Sequence, residues 1–322
     1  MEEQVDGRLP AALLELGAWL KEQGYRFTTV TPATHTRVNA RPSARVARDL
    51  RGVFGWSRPF RPELLPAAVL DLLQDASLVR KAPGALVRSE VRFSTLRGRL
   101  FAHSAYPTEQ EDAVFFGPDT YRFAQLIEDE LRWEALPAGA RILDLGCGSG
   151  AGGIVAAALG EDADLTLADI NPRALWFAAA NAALAGCDEA RLVESDLYAA
   201  TPGAFDLILA NPPYLNDAAQ RTYRHGGGRF GEALSARIVR EGLPRLSPGG
   251  RLVLYTGAAM VDGADPLLAL LRPVLGAVPW PWRYREIDPD VFGEELDEPA
   301  YQEAERIAVV ALVVQRPGPA VP

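Results

Sequence analysis

The sequence predicts an α/β protein: a doubly wound, largely parallel sheet preceded by a smaller, mainly helical module. Three observations carry that expectation. From about Arg122 onward, short apolar runs of strand length alternate with helical stretches, the pattern of strands joined by crossover helices. The runs "ARILDLG", "DLTLADI", "ARLVESD", "FDLILAN" and "GRLVLYTG" each end in a polar or glycine-rich turn. Upstream of them, apolar residues recur at helical spacing instead.

Composition bounds the rest. The chain has 322 residues, 48% hydrophobic and 23% charged, enough for one large domain and a smaller one with a real core. No stretch approaches the roughly 18 apolar residues of a membrane-spanning helix. The opening "MEEQVDGRLP" is acidic where a secretory signal is basic, so a soluble, cytoplasmic protein with no membrane partner is expected. Cys147, Cys187 and three scattered histidines offer neither a disulfide framework nor metal-ligand spacing, and no metal is expected.

Within the amino-terminal module, residues 1–115, "LPAALLELGAWLKEQG" has helical spacing with Gly24 as its stop. "RPSARVARDLRGVFG" predicts a helix near Pro42 with Arg41, Arg45, Arg48 and Arg51 on one face and Val46, Leu50 and Val53 opposite. "RPELLPAAVLDLLQDASLVRK" predicts another amphipathic helix, and "ALVRSEVRFSTLRGRLFAHSAY" a hairpin turning at Gly98. Helices followed by a hairpin suggest a winged-helix-like module. Net charge is −9 overall, yet Arg26 to Arg61 holds eight arginines and one acid, Asp49, a local excess of +7. Phosphates are natural partners of clustered arginines, so Arg45 and Arg48 are candidate substrate contacts; the alternative is an ordinary solvated surface.

Residues 116–316 form the sheet domain. After its five strands come a helix around Asp265 to Leu271, then "WRYREID" and "RIAVVALVVQ", which can pair as a terminal antiparallel hairpin across an acidic loop. The tail, residues 317–322, is expected to be disordered.

Four strand ends carry the chemistry. The first reads Asp144-Leu145-Gly146-Cys147-Gly148-Ser149-Gly150: glycines let the chain turn at positive φ and let a ligand approach bare backbone, and the next helix offers its amides. The second ends in Asp169, placed to accept hydrogen bonds from the two hydroxyls of a ribose, or to cap a helix, a task Asn171 also suits. Together they point to a nucleoside-containing cofactor, a dinucleotide or S-adenosylmethionine. At the third, Asp196 can accept from an adenine amino group while Leu197 packs on the ring; a plain turn is the alternative.

The fourth strand runs into Asn211-Pro212-Pro213-Tyr214. A planar NH2 group is a poor nucleophile because its lone pair is delocalised. The Asn211 side-chain carbonyl and a proline backbone carbonyl can each accept one of its N–H groups and turn the lone pair toward an electrophilic methyl. Prolines hold those carbonyls at fixed φ without adding donors, and Tyr214 offers a face for stacking. Downstream, the Gly226-Gly227-Gly228 run, with Arg224, His225 and Arg229, reads as a mobile loop that could close over substrate; His225 is either a base or, as favoured, a flexible surface histidine, because the mechanism leaves a base nothing essential to do.

These residues resemble the class I S-adenosylmethionine-dependent methyltransferases, in particular the release-factor glutamine methyltransferases and the small methyltransferase domains of ribosomal RNA enzymes. The resemblance covers roughly residues 115–315 and rests on "DLGCGSG", "DINPRAL" and "NPPY" in that order. It implies a Rossmann-like, seven-stranded sheet whose last strand is antiparallel, S-adenosyl-L-methionine as cofactor, and substrate nitrogen on Asn211. It places the sulfonium donor near Gly146 and Gly148 and ribose on Asp169; taken with the strand-end readings, the expected cofactor residues are Thr120, Asp144, Gly146, Cys147, Gly148, Gly150, Asp169, Ile170, Asp196, Leu197 and Asn211, and the expected catalytic residues Asn211, Pro212, Pro213 and Tyr214. "FFGPDTYRF" stands where the glutamine enzymes carry Pro-Arg-Pro-x-Thr-Glu; Thr120 matches, whereas Asp119 follows Pro118 and Arg122 follows Tyr121 where Glu is expected. The expected activity is N-methylation of a protein glutamine or an RNA base, with a ribosomal partner in view. A nicotinamide-dependent dehydrogenase and a non-catalytic S-adenosylmethionine-binding protein are the alternatives.

Overall fold

In the computed structural model, which describes residues 8–108, 110–217, 221 and 223–319, helix α1 (Arg8–Glu22) buries Leu9, Leu13, Leu16 and Leu20 along one stripe. It ends at Gly24 as its sequence indicates, and the Tyr25 amide returns to the Leu20 carbonyl at 3.0 Å. Helix α2 (Pro32–Asn39) is capped by Thr31, whose hydroxyl accepts from the Thr34 amide at 3.2 Å.

The expected helix with an arginine face does not form. Pro42–Ala44 make one 3-10 turn, and a short helix α3 (Leu50–Phe54) starts afresh at Asp49, whose carboxylate accepts from the Gly52 amide at 2.7 Å. Between them the Ala47 amide donates to the Pro59 carbonyl at 2.8 Å, a partner that a continuous helix would not allow it. Arg41, Arg45, Arg48 and Arg51 are all exposed, but they are spread over a turn, a loop and a short helix.

Helix α4 (Ala67–Asp75) is followed by two hairpins, where the sequence suggested one. Strands β1 (Val79–Ala82) and β2 (Leu86–Ser89) occupy residues expected to end the helix and to open the single hairpin; Ser77, in the left-handed region at φ 56°, stops the helix short. Strands β3 (Val91–Leu96) and β4 (Arg99–Ser104) turn at Arg97-Gly98 as expected.

Helix α5 (Pro118–Trp133) leads into the sheet. The chain then alternates β5 (Arg141–Leu145), α6 (Ala151–Ala157), β6 (Asp164–Asp169), α7 (Pro172–Ala185), β7 (Arg191–Glu194) and β8 (Phe205–Ala210). It continues through α8 (Ala233–Gly242), β9 (Leu246–Met260), α9 (Pro266–Gly276), β10 (Trp282–Asp288) and β11 (Arg306–Gln315). The seven strands lie in the order β10-β11-β9-β8-β5-β6-β7, with β11 antiparallel to both neighbours. Side-chain alternation divides two cores. Ile142, Leu207, Leu209, Val253 and Tyr255 pack with α5, α6 and α7, while Leu143, Leu145, Ile208, Leu252 and Leu254 pack with α8 and α9.

The amino-terminal module has its own core and shares it with α7, through Ala174, Phe177, Ala180 and Leu184. Helices α1 and α7 approach closely at Gly17, where a Cβ would lie 2.5 Å from a Leu184 methyl. No helix among the described residues is long and apolar enough to cross a membrane. Of the tail expected to be disordered, residues 320–322 lie outside the described residues, as does the acidic opening 1–7.

Asn181, on α7 and fully buried, joins three parts of this arrangement. Its Oδ1 accepts from the Ala102 amide at 2.7 Å, and its Nδ2 donates to the Ala102 and Ser149 carbonyls, each at 2.9 Å. Asn181→Ala would strand a buried backbone amide and two carbonyls, and should cost at least about 2 kcal/mol of stability in urea unfolding.

Candidate active site

Strand β5 lies in parallel register between β6 and β8, so that Leu145 faces Ala168 on one side and Ala210 on the other. The segments that leave these three strands therefore emerge side by side, at the end of the sheet where such folds bind ligands. They line a cavity of about 660 Å³, together with Pro32 and Tyr106 of the amino-terminal module and Phe292, Glu294 and Glu295 of the acidic loop.

The first turn is shaped by two buried carboxylates. Asp144 Oδ2 accepts from the Gly153 amide at 2.7 Å, tying the end of β5 to α6. Asp169 Oδ2 accepts from the Gly148 amide at 2.8 Å and its Oδ1 from the Asn171 amide at 2.9 Å. Asn171 itself caps α7 by accepting from the Arg173 amide, so Asp169 and Asn171 divide the two tasks that either could have done. Gly146 and Gly148 have φ of 61° and 55°, and nothing lies within 4 Å of a Cβ built on either. Bare backbone thus borders open cavity there. Burial raises the Asp169 carboxyl against the pull of the Asn171, Gly148 and Ile170 amides, and it pushes the Cys147 thiol well up, helped by Asp169 and Asp144.

Thr120, Asp144, Gly146, Cys147, Gly148, Asp169, Ile170, Asp196, Leu197, Asn211, Pro212, Pro213 and Tyr214 all line the cavity. Gly150 does not; it caps α6 in the left-handed conformation. Thr120 closes the first turn of α5, its Oγ1 accepting from the Gly117 amide at 3.2 Å. The Asp196 carboxylate is held by Arg237 at 2.8 and 3.1 Å, which leaves Leu197 beside it as the apolar wall. Arg45 and Arg48 lie on the surface, outside the cavity lining.

Asn211 and Pro213 are half-buried on the cavity wall, and Pro212 is buried between them. Tyr214 is anchored more firmly than its sequence indicates. Its ring packs so tightly on β9 that a Cβ at Gly257 would sit 2.2 Å from it, and Phe292 meets it edge-on with centroids 6.0 Å apart. Its hydroxyl donates to Asp119 Oδ2 at 2.7 Å, while Tyr255 donates to Asp119 Oδ1 at 2.8 Å and Arg122 lies 3.3 Å away, also paired with Asp288. Burial beside this carboxylate keeps Tyr214 protonated, its pKa well above the usual value. Tyr214 therefore serves as a strut for the loop more than as an open stacking face. Sequence reasoning treated Asp119 only as a departure from a family element and passed over Phe292, because neither their tertiary partners nor the left-handed φ of 53° at Phe292 leaves a local signal.

The glycine-rich segment also differs from its expected character. Leu215 and His225 form a parallel bridge, the Gly226 amide donates to the Leu215 carbonyl at 2.8 Å, and a Cβ at Gly226 would collide with the Gly231 carbonyl at 2.0 Å. His225 is half-buried on the cavity wall, its Nδ1 unpartnered among the described residues, and is not a loose surface histidine. Gln220 and Thr222 of this segment lie outside the described residues. Among the described residues no cluster of three His, Cys, Asp or Glu could hold a metal ion.

Comparison with known proteins places this site among relatives. Residues 124–261 match the family model for the methyltransferase small domain. The chain is 35% identical over 198 residues to a release factor glutamine methyltransferase of Deinococcus radiodurans, covering 58% of this chain and 66% of that one. It is 35% identical over 191 residues to the Bordetella pertussis protein of the same description, covering 55% and 67%. It is 34% identical over 123 residues to ribosomal RNA small subunit methyltransferase C of Hamiltonella defensa, covering 38% and 33%. The chain thus spans about two thirds of the first two relatives and a third of the last.

Burial raises the Asp144 carboxyl from 3.8 to about 7, partly opposed by the Gly153 amide and reinforced by Asp169. Below about pH 4 folded and unfolded chains alike hold this proton, and the group contributes nothing to the pH dependence. From about pH 4 to pH 7 the unfolded chain releases it while the folded chain keeps it, so stability falls as pH rises and levels off above pH 7. Asp144→Asn, which keeps an oxygen for Gly153, should flatten that fall. Relative to the parent it should gain about 3 kcal/mol between pH 5 and pH 8, measured by urea unfolding at both values.

Proposed function

Because the chain belongs to the class I S-adenosylmethionine-dependent methyltransferases of the small-domain family, we propose that it methylates a planar nitrogen, in a protein glutamine or an RNA base. One observation carries the reading: Asn211, Pro212 and Pro213 line the same cavity as the Gly146 to Gly148 turn and Asp169. Carbonyl oxygens for an NH2 group and a cradle for a nucleoside donor therefore share one enclosure.

The residues present fit S-adenosylmethionine. Gly146 and Gly148 leave the room that a side chain would fill, Asp169 retains lone pairs for ribose hydroxyls, and Ile170 and Leu197 line apolar wall for a base. When bound, the donor supplies an electrophilic methyl carbon on its sulfonium. The chain supplies orientation. Asn211 Oδ1 and a proline carbonyl each accept one N–H of the substrate, which localises the nitrogen lone pair and leaves a side-chain base unnecessary. Neither Pro212 nor Pro213 has an amide hydrogen to repel that NH2. Asp119, through Tyr214, fixes the loop that carries these acceptors. A nicotinamide-dependent dehydrogenase would use the glycine turn and Asp169 but would leave Asn211 and its prolines without a task.

Incubation with labelled donor and total cell extract should place label in protein or RNA; a chain that binds the donor and labels nothing would be a binding protein only. Asn211→Ala should lower turnover about 100- to 1000-fold, with donor affinity within a few-fold of the parent by calorimetry, and a near-normal rate would remove Asn211 from the mechanism. Asp169→Ala should instead weaken donor binding by roughly ten- to a hundredfold, the loss of charge-assisted hydrogen bonds to the ribose.

A further inference from the structure

We propose that the surface running from the cavity mouth across residues 26–61 is a docking site for single-stranded RNA, whose target base enters the cavity; this rests on the methyl-transfer reading above. Charge is the first support. Of the eight arginines in the segment, all but Arg58 are exposed. None of the eight forms an ion pair among the described residues, whereas Arg122, Arg141, Arg173, Arg191 and Arg237 of the sheet domain each have a carboxylate partner. The one acid of the segment, Asp49, is engaged with the Gly52 amide. An uncompensated positive surface repels itself, and a polyanion is the partner that relieves it.

Position is the second support. Pro32 and Tyr106 line the cavity, and Pro32 is the first residue of α2. The Tyr106 hydroxyl meets Thr36 Oγ1 at 2.5 Å, and its ring stacks on His35 with centroids 4.0 Å apart. At about 1.5 Å per residue, α2 carries the surface roughly 12 Å from the mouth to Asn39. There Arg58 Nε donates to Asn39 Oδ1 at 2.9 Å, and burial lowers the Arg58 guanidinium's pKa, with Asp49 opposing and Arg41 adding to the fall. The segment thus touches the cavity at Pro32 and carries exposed arginines beyond it, Arg37 on α2 and Arg41 just past its end.

The rim supplies the third. Phe115 and Tyr223 both line the cavity, with parallel rings at 9° and centroids 6.4 Å apart. Aromatic faces in a cavity that a basic segment also borders are what a single strand with unpaired bases uses. A glutamine on a protein loop presents a neutral amide to the same acceptors and gives this strip no work.

The test uses the full chain and a labelled, unstructured RNA of about 20 nucleotides, followed by fluorescence polarisation across salt, with S-adenosylmethionine binding measured by calorimetry in parallel. Binding should weaken with salt at a slope near −2 in log–log form for about three phosphates contacted. Combined Arg41→Glu, Arg45→Glu and Arg48→Glu should weaken RNA binding roughly ten- to a hundredfold and flatten that slope, because each lost phosphate contact removes released counterions. Donor affinity in this variant should stay unchanged, which also shows that it folds. A parent chain that binds the donor but not RNA overturns the proposal, as does an unchanged slope in the triple variant or methyl label found on protein glutamine. Equal affinity for DNA of the same sequence would overturn the assignment to RNA and leave a general strand-binding surface. Failure of the parent chain to bind the donor would overturn both this and the reading beneath it.

Discussion

Asp169 holds two backbone amides at once, from Gly148 at 2.8 Å and from Asn171 at 2.9 Å, and the floor of the cavity depends on that pair of bonds. The first amide belongs to the turn after β5, the second to the start of α7. One carboxylate therefore sets the spacing between two strand ends and the entry angle of the helix. Such bonds are strong because the acceptor is charged and buried. The same burial disfavours the charge itself, so the amides are what keep the group serviceable as an acceptor. Asp144 makes the same compromise with one amide instead of two, and its carboxyl rises to about 7.

The sheet was legible because its signals are local. Five apolar runs with polar endings, a terminal pair across an acidic loop, and glycines at the first strand end need no knowledge of distant partners. The site was legible for the same reason: parallel strands of a doubly wound sheet deliver their last residues to one edge, so Asp144, Asp169, Asp196 and Asn211 could be read as neighbours from their order in the chain. Misreadings arose where a distant group decided a local outcome. The helix expected from Pro42 gives way because Asp49 caps a new turn and Ala47 finds the Pro59 carbonyl. The β1–β2 hairpin was hidden because Val79, Arg80 and Lys81 continue an apolar and charged pattern that suits a helix, and only Ser77 breaks it. His225 looked loose among glycines, yet those glycines permit close backbone packing against Gly231 and Leu215.

Asp119 shows how a departure from a family element can still serve the shared site. Two tyrosine hydroxyls and Arg122 converge on it from the Asn-Pro-Pro-Tyr loop, from β9 and from α5 itself. Arg122 then reaches Asp288 at the end of β10, on the sheet's outermost strand. The acceptors proposed for the substrate nitrogen are thus braced from across half the sheet, in keeping with the need to hold reacting groups in a narrow range of geometry.

Helix α7 begins beside the cavity and carries the amino-terminal module along its length, with Phe177 and Leu184 in the core that also contains Leu13 and Phe93. Opening the two parts like jaws would expose these side chains to water, at about 1.5–3 kcal/mol each. The clearance in front of the acceptors is therefore settled when the chain folds. Any group that reaches them has to fit an enclosure of about 660 Å³ whose walls come from both parts of the chain and do not part to admit it.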